Sequence, residues 1–204
     1  MIILGAGGHA KELLGVLAEQ PINEDVFFYD DVTTDLPPLL FNKFRILRSQ
    51  LEVNEVLKKD SRFVIGVGNP VNRYELAKKF VAWGGILTSV VSTSAMIGKF
   101  NVKLADGLNI MKNAVITEDV VIGTGSLIHI QSCVHHDCRI GQYCEILPGS
   151  RLLGGVRIGD YTSIGSGAIV LPKVKIGTRV KVGAGAVVTK DVSDDMTVKG
   201  VPAK

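Results

Sequence analysis

Two adjacent histidines followed by an aspartate form the segment of this chain best suited to acid–base chemistry. His135, His136 and Asp137 are consecutive. Imidazole titrates near neutral pH and can take a proton from a nucleophile as it attacks. A carboxylate beside the ring orients it and raises its basicity. The segment therefore offers a general base together with an orienting acid.

A glycine-rich turn near the start of the chain has the spacing of a phosphate-binding loop. Gly5-x-Gly7-x-x-Ala10 follows an apolar strand, and Asp30 comes about twenty-five residues later, as in a dinucleotide fingerprint. N–H groups at the start of the next helix would face an anion. The segment is too short for two mononucleotide halves, and it has no second glycine motif. A dinucleotide is therefore disfavoured, and a turn without any ligand remains the alternative.

Strands alternate with helices over residues 1–88, which predicts a short Rossmann-like parallel sheet. The predicted strands are Ile2–Leu4, Asp25–Tyr29, Arg62–Val67 and Leu87–Val91, and the predicted helices are Ala10–Glu19, Leu51–Lys58 and Asn72–Trp83. Three segments follow strands directly: Gly5–His9, Asp30-Asp31 and Gly68-Asn69. They share the carboxyl edge of the sheet, where ligands of such sheets bind.

An aliphatic residue recurs at every sixth position from Leu104 to Val188 without exception. The residue two positions before each of these anchors carries no charge and is not aromatic. This repeat predicts a parallel β-helix with three hexads to a coil and the anchors stacked inside. Residues 89–204 therefore form a second domain. We expect corners with unusual backbone angles where glycine follows an anchor. These glycines are Gly123, Gly141, Gly159, Gly165, Gly177 and Gly183.

Composition excludes several classes of function. The 204 residues carry a net charge of +3 with no basic stripe, which argues against nucleic-acid binding. No run of about 18 apolar residues could span a membrane. The first residues lack the basic start of a signal peptide, so we expect a cytoplasmic protein. Three cysteines argue against a disulfide framework, and Cys138 and Cys144 are interpreted as small interior residues. No metal site is predicted.

Six motifs, in this order and spacing, resemble one known family. They are Gly5-Ala6-Gly7-Gly8-His9-Ala10-Lys11-Glu12, Tyr29-Asp30-Asp31, Gly66-Val67-Gly68-Asn69, His136-Asp137-Cys138, Gly154-Gly155-Val156-Arg157-Ile158-Gly159 and Gly200-Val201-Pro202-Ala203-Lys204. Over essentially its whole length the chain is similar to the sugar O-/N-acyltransferases of the sialic acid O-acetyltransferase and UDP-4-amino-sugar N-acetyltransferase types. The resemblance implies a left-handed β-helix, acetyl-CoA as co-substrate, and a homotrimer with each active site between two β-helices.

The resemblance also assigns roles at the catalytic and sugar-nucleotide sites. It makes His136 the general base and Asp137 the group that orients it. It implies that Gly7, Gly8 and His9 of the glycine turn face the sugar or phosphate. It implies that Asp30 and Asp31 meet hydroxyls, the base or the amine. It also implies that Gly68 lets the chain pass close to the ligand.

Coenzyme A is expected along the β-helix groove toward its C-terminal coils. Gly154, Ser166 and Ala184 occupy the matching positions, where small residues would let the pantetheine arm approach the backbone. Glu145 stands where many relatives carry a histidine that holds the acetyl group. A carboxylate donates no hydrogen bond unless protonated. Either a backbone N–H stabilises the oxyanion, or Glu145 binds another group such as a substrate amine.

These features predict an acetyl-CoA-dependent N-acetyltransferase acting on a nucleotide-linked 4-amino-4,6-dideoxy sugar, with no nucleic-acid or membrane partner. O-acetylation of sialic acid or another sugar is the first alternative. A trimeric β-helix scaffold without enzymatic activity is the second. A carbonic-anhydrase-like zinc trimer is disfavoured because His129, His135 and His136 lack the spacing of that family.

Overall fold

The computed structural model describes residues 1–19 and 25–204, and its first part is a six-stranded sheet with helices on its faces. The strands are β1 (Ile2–Leu4), β2 (Phe27–Tyr29), β3 (Leu39–Leu40), β4 (Phe44–Leu47), β5 (Arg62–Ile65) and β6 (Ile86–Leu87), in the spatial order β3-β4-β2-β1-β5-β6. The helices are α1 (Gly8–Leu17), α2 (Gln50–Leu57) and α3 (Pro70–Ala82). The pairs are parallel except that β3 runs antiparallel to β4. The predicted Rossmann-like sheet is therefore confirmed, with an added antiparallel edge.

The central strand β1 is apolar throughout because both faces of the sheet are covered. Ile3 packs with Leu13 of α1 in one core. Ile2 and Leu4 pack on the opposite face with Phe80 of α3. All five side chains are fully buried. A strand covered on both sides needs no polar alternation, which is why its sequence is an uninterrupted apolar run.

The structure differs from the sequence analysis at three places. Helix α1 begins at Gly8 rather than Ala10, because Gly7 is its N-cap and the glycine turn leads directly into the helix. The single strand predicted over Leu87–Val91 is wrong: β6 joins the first sheet, and Val90–Val91 forms β7, which belongs to the β-helix. The β3–β4 hairpin was not predicted. Its turn residues Phe41 and Asn42 both have positive φ without a glycine to mark the turn.

The second part is a left-handed β-helix of short strands. The hexad repeat predicts the β-helix, and the family resemblance implies its hand. The strands are β7 (Val90–Val91), β8 (Met96–Ile97), β9 (Lys103–Leu104), β10 (Asn109–Ile110), β11 (Val115–Ile116), β12 (Val121–Ile122), β13 (Leu127–Ile128), β14 (Cys133–Val134), β15 (Arg139–Ile140), β16 (Glu145–Ile146), β17 (Arg151–Leu152), β18 (Arg157–Ile158), β19 (Ser163–Ile164), β20 (Ile169–Val170), β21 (Lys175–Ile176), β22 (Lys181–Val182), β23 (Val187–Val188) and β24 (Thr197–Val198). Anchors pair with anchors one coil of 18 residues away, for example Ile110 with Ile128 and Ile128 with Ile146.

These strands form three flat faces. Face 1 contains β7, β10, β13, β16, β19, β22 and β24; face 2 contains β8, β11, β14, β17, β20 and β23; face 3 contains β9, β12, β15, β18 and β21. From β10 onward the second residue of each strand lies in the buried core, and the residue two positions before it is usually buried as well. Cys138 and Cys144 are fully buried in this core, which agrees with their predicted role as interior residues.

The glycines that follow anchors have a different physical cause from the one expected. None of the six has a positive φ. A Cβ on Gly123 would lie 2.7 Å from the Gly141 backbone, and one on Gly165 would lie 2.5 Å from the Ala184 nitrogen. Glycine is needed there because successive coils approach closely. The corners with positive φ lie elsewhere and often hold Asn, Asp or Tyr.

The first domain packs on face 1. Val90, Met111 and Leu127 of the β-helix join the core that contains α1. On the other side of the contact, the ring of Tyr74 in α3 meets Tyr143 edge-on, with 5.3 Å between centroids. Face 1 is thus the surface that fixes the position of the sheet edge carrying the glycine turn. Within residues 1–19 and 25–204, no helix is long and apolar enough to cross a membrane.

Candidate functional site

His136 and Asp137 lie at the exposed corner between faces 2 and 3, just after β14. The Nδ1 atom of His136 is 2.6 Å from Oδ2 of Asp137, and both side chains are more than half exposed. Asp137 has a φ of 63°, a conformation that Asp adopts more readily than most residues. With Nδ1 donating to the carboxylate, the lone pair of the neutral ring is on Nε2. This is the arrangement that a general base requires.

Gly154 lies directly beneath the His136 ring, one coil further along. A Cβ on Gly154 would be 2.6 Å from Cε1 and 2.7 Å from Nε2 of His136. The backbone of the same coil also holds the corner, because the Gly155 N–H donates to the His136 carbonyl at 2.9 Å. The sequence predicts Gly154 beside coenzyme A. The structure adds that only glycine leaves His136 in its present position.

The glycine turn presents an open helix N-terminus. Gly7 is the N-cap of α1, and among the described residues no side chain caps the helix and no acidic residue lies in its first turn. A Cβ on Gly7 or on Gly8 would meet no described heavy atom within 4 Å. Unpaired N–H groups and the helix dipole both favour an anion at such a position. His9, by contrast, turns its ring toward the β-helix, and burial lowers its pKa to about 3.

Asp30 is held inside its own loop. Its carboxylate accepts hydrogen bonds from the backbone N–H of Ala6 at 3.2 Å and of Thr33 at 2.8 Å. It therefore joins the glycine turn to the loop after β2. The sequence predicts a ligand contact for Asp30, and these bonds add a positioning role.

Asp31 is held differently, by a lysine that sequence reasoning missed. It accepts hydrogen bonds from the Tyr29 hydroxyl and from Lys79 Nζ, each at 2.7 Å. Burial alone would raise the pKa of Asp31, but these two donors outweigh it and hold the pKa below its usual value. A cavity of about 410 Å³ opens beside them. Helical spacing could have indicated Lys79, since it lies on the same side of α3 as Asn72 and Leu76, which also line this cavity.

Gly68 and Glu145 meet where the two domains touch. A Cβ on Gly68 would be 2.5 Å from Oε1 of Glu145. Ser163 Oγ donates to the other carboxylate oxygen at 3.3 Å. Burial raises the pKa of Glu145, with Ser163 and the cation of Arg73 acting in the opposite direction. The sequence predicts Gly68 near the sugar nucleotide and Glu145 near the coenzyme, and the structure brings the two residues together.

Arg73 is a second residue that sequence reasoning missed. Its guanidinium is fully buried and donates to the carbonyls of Gly125 at 2.8 Å, Val67 at 2.7 Å and Ile65 at 3.2 Å. Burial lowers its pKa to about 10, so it stays charged at neutral pH. Arg73 shares one side of α3 with the buried residues Ala77 and Phe80. The sequence could have indicated Arg73, because it is a cation at a position that helical spacing places among buried apolar residues.

The remaining predicted residues lie on another corner. Ser166 and Ala184 are exposed at the corner between faces 1 and 2, one coil apart, and the Gly185 N–H donates to the Ser166 carbonyl. Gly154 lies at the corner between faces 2 and 3. The three small residues predicted along the coenzyme therefore occupy two edges of one β-helix, separated by face 2.

The chain joins a sheet edge with an open helix N-terminus to a β-helix that carries a histidine–aspartate pair at one corner. This combination is typical of hexapeptide-repeat transferases. The PglD N-terminal domain model matches residues 1–80, and the bacterial transferase hexapeptide model matches residues 137–171 and 155–190. A comparison with curated proteins found no match.

Solved structures resemble the chain over its whole length. A mutant of perosamine N-acetyltransferase from Caulobacter crescentus, in complex with CoA and GDP-perosamine, is 31% identical, with a TM-score of 0.89, and the match covers 100% of this chain and 94% of that one. WeeI from Acinetobacter baumannii AYE is 30% identical (TM-score 0.91; coverage 100% and 97%). The acetyltransferase domain of PglB from Neisseria gonorrhoeae FA1090, in complex with acetyl coenzyme A, is 28% identical (TM-score 0.79; coverage 100% and 97%). The chain belongs to the family of sugar acetyltransferases that join a PglD-type N-terminal domain to a hexapeptide β-helix.

Proposed function

We propose that this chain transfers the acetyl group of acetyl-CoA to the amine of a nucleotide-linked 4-amino-4,6-dideoxy sugar, with His136 as general base. The observation that carries the proposal is the 2.6 Å contact between His136 Nδ1 and Asp137, at an exposed corner where the repeat itself needs no reactive group. Similar proteins of this family have been solved with CoA and GDP-perosamine or with acetyl coenzyme A.

The reaction needs one proton transfer in each direction. The sugar amine attacks the thioester carbonyl, and Nε2 of His136 takes the proton that the nitrogen loses. Asp137 stabilises the imidazolium that forms. The tetrahedral intermediate collapses by breaking the C–S bond, and His136 returns its proton to the departing thiolate of coenzyme A. An ionised Glu145 cannot donate to the oxyanion, so a backbone N–H is the better donor.

The edge of the first sheet would bind the sugar nucleotide. Its phosphates would lie at the open start of α1, beside Gly7 and Gly8, where an added Cβ would find open space. The cavity lined by Asp31 and Lys79 offers a hydrogen-bonding acceptor and a cation for the nucleoside or sugar. The volume of about 410 Å³ is within the range of ordinary ligand pockets.

A homotrimer would bring the two parts of the site together. In one copy the first domain packs on face 1, whereas His136 lies at the corner between faces 2 and 3. The outward residues of face 2 are mostly apolar, which favours burial against further copies around this face. They are Met96, Val115, Cys133, Arg151, Ile169 and Val187. The site would then combine the glycine turn of one copy with His136 of the next.

An acetyl-transfer assay tests the proposal. CoA release is measured with UDP-, dTDP- and GDP-linked 4-amino sugars and with free sialic acid. We expect release with one of the amino sugars, and a loss in kcat of at least about 100-fold in His136→Ala. His135→Ala, at the neighbouring position, is the matched control and should keep most of the activity. Release only with sialic acid would point to O-acetylation, and no release with any acceptor would refute the enzymatic proposal.

A further inference from the structure

Two buried histidines face one carboxylate between α1 and the β-helix. Oε2 of Glu12 is 3.6 Å from Nδ1 of His9 and 3.4 Å from Nε2 of His129. The imidazole centroids are 5.5 Å apart. The two histidine side chains are only 10% and 11% exposed, whereas Glu12 is 44% exposed. The reaction described above uses neither Glu12 nor His129.

Neighbouring groups determine which ring nitrogens carry protons. The Asn109 amide nitrogen is 2.6 Å from the Ile65 carbonyl, which fixes the orientation of that amide. The same nitrogen is 3.0 Å from Nε2 of His9, so Nε2 accepts and the ring proton is on Nδ1, facing Glu12.

The same argument applies to His129. Its Nδ1 accepts from the Ile130 N–H at 2.9 Å, which leaves the ring proton on Nε2, also facing Glu12. Burial lowers the pKa of both His9 and His129, which favours the neutral ring with a single proton. Two ring N–H groups therefore face one carboxylate oxygen, at N···O distances of 3.6 Å and 3.4 Å.

These three side chains could in principle hold a metal ion, since their donor atoms lie within 4.8 Å of one another. Metal ligation requires the lone pair of each imidazole nitrogen. In His9 and His129 the nitrogens that face Glu12 are the protonated ones. A cluster in which two imidazole N–H groups face one carboxylate therefore fits the structure better than a metal centre.

We propose that Glu12 is a positioning residue of the sugar-nucleotide site. Its carboxylate attracts the ring protons of His9 and His129 and so locks the start of α1 against the β-helix. His9 directly follows Gly7 and Gly8 at the start of α1, so holding its side chain in place also restrains the backbone of the glycine turn. The Nδ1 atom of His9 is buried and has no hydrogen-bond partner among residues 1–19 and 25–204, and the Glu12 carboxylate lies 3.6 Å from it.

The proton positions can be measured without any substrate. The chain contains four histidines, so ¹⁵N-histidine labelling of the full-length protein gives a spectrum simple enough to assign. At neutral pH we expect His9 to show an Nδ1–H signal and His129 an Nε2–H signal. Glu12→Gln should shift or broaden both sets of signals, because an amide accepts at one atom and donates at the other. Glu55→Gln, which changes an exposed glutamate of α2 paired with Lys58, is the matched control.

The expected effect of Glu12 on sugar-nucleotide binding rests on the proposed function, and it is measured separately, through KM and kcat. In Glu12→Gln we expect KM for the sugar nucleotide to rise about tenfold while kcat stays within about twofold, since His136 is untouched. Glu12→Asp keeps the charge and should recover part of the affinity.

Several results would overturn the proposal. Unchanged histidine signals in Glu12→Gln would show that no such cluster exists, and an unchanged KM would show that it does not position the site. One equivalent of bound Zn²⁺ that disappears in Glu12→Gln would replace it with a metal centre. If the wild-type protein acetylates no acceptor, the proposed function fails, whereas the spectra still decide whether the cluster is present.

Discussion

At the scale of single residues, the proposed chemistry at the corner depends on the residue that lies beneath His136. Asp137 is hydrogen-bonded to Nδ1 of His136, and Gly154 lies beneath the ring without a side chain of its own. The imidazole is mostly exposed, so it is held by these two neighbours rather than by a packed core. Its position is therefore sensitive to one added methyl group.

Replacing Gly154 by alanine should displace His136 without unfolding the protein. The new Cβ would lie within 2.7 Å of two ring atoms, and an exposed ring can move away at little cost. We expect kcat to fall by about 100-fold, because a misplaced base loses its alignment with the nucleophile. The melting temperature should stay within about 2 °C of wild type. Gly15→Ala, where a Cβ meets no described atom within 4 Å, is the control. Full activity in Gly154→Ala would show that the absence of a side chain at position 154 is not required for the position of His136.

Burial of His9 should make stability depend on pH below neutrality. Its pKa is about 3 in the folded protein and near 6.5 in the unfolded chain, so between these values only the unfolded chain binds the proton. Stability should therefore decrease as pH falls below about 6.5, by up to about 1.4 kcal/mol per pH unit from this group. Urea unfolding at pH 7 and pH 5, at one protein concentration, measures the change.

The matched comparison uses two single variants. His9→Gln should show a smaller loss of stability between pH 7 and pH 5 than wild type, because the buried titrating group is gone. Gly15→Ala, which removes no titratable group, should keep the wild-type slope. An equal slope in His9→Gln and wild type would mean that other groups cause the acid sensitivity.

At the scale of elements, helix α3 is joined to the β-helix by a buried cation. Arg73 donates to the Gly125 carbonyl on the β-helix and to the Val67 and Ile65 carbonyls after β5. The same segment carries Gly68, which touches Glu145. Arg73 thus holds the edge of the sheet against the β-helix at the point where the predicted site begins.

Replacing Arg73 by methionine should loosen this contact. The apolar chain fills part of the space but leaves three carbonyls without their donor, which we expect to cost about 3 kcal/mol in the free energy of unfolding. Arg45→Met is the control, since Arg45 is exposed and its ion pair with Glu52 should contribute about 1 kcal/mol at most. Similar losses in the two variants would argue against a special role for Arg73.

The elements differ in how much of them the sequence could predict. The β-helix follows from the hexads because each anchor has the same task in every coil. The β3–β4 hairpin was missed because its turn, Phe41-Asn42, contains no glycine, and only Asn42 is of a type that often adopts positive φ. Lys79 and Arg73 were missed because helical periodicity predicts which side of α3 is buried, but not that a cation on it finds carbonyl or carboxylate partners from distant segments. His136 and Asp137 were noticed because they differ from the repeat around them.

At the scale of the whole molecule, the three faces of the β-helix differ in their outward residues. The first domain covers the part of face 1 around Val90 and Leu127. Face 3 carries mostly cations, as suits a surface in water: Lys103, Val121, Arg139, Arg157 and Lys175. Face 2 carries mostly apolar residues, and its two edges hold His136 on one side and Ser166 and Ala184 on the other. Packing of face 2 against neighbouring copies would bring these two edges together across the interface.

Mixing two inactive variants tests whether a site is shared between copies. Gly7→Leu should block the glycine turn without disturbing the fold, because a Cβ there meets no described atom within 4 Å. His136→Ala removes the proposed base. Each variant alone should be inactive, but co-expression should restore about a quarter of the wild-type rate, since random assembly pairs an intact turn with an intact base at about one interface in four. Co-expression of Gly7→Leu with the double variant is the control and should restore nothing. A mixture as inactive as its components would place both halves of the site within one copy, and the interface across face 2 would then have no part in catalysis.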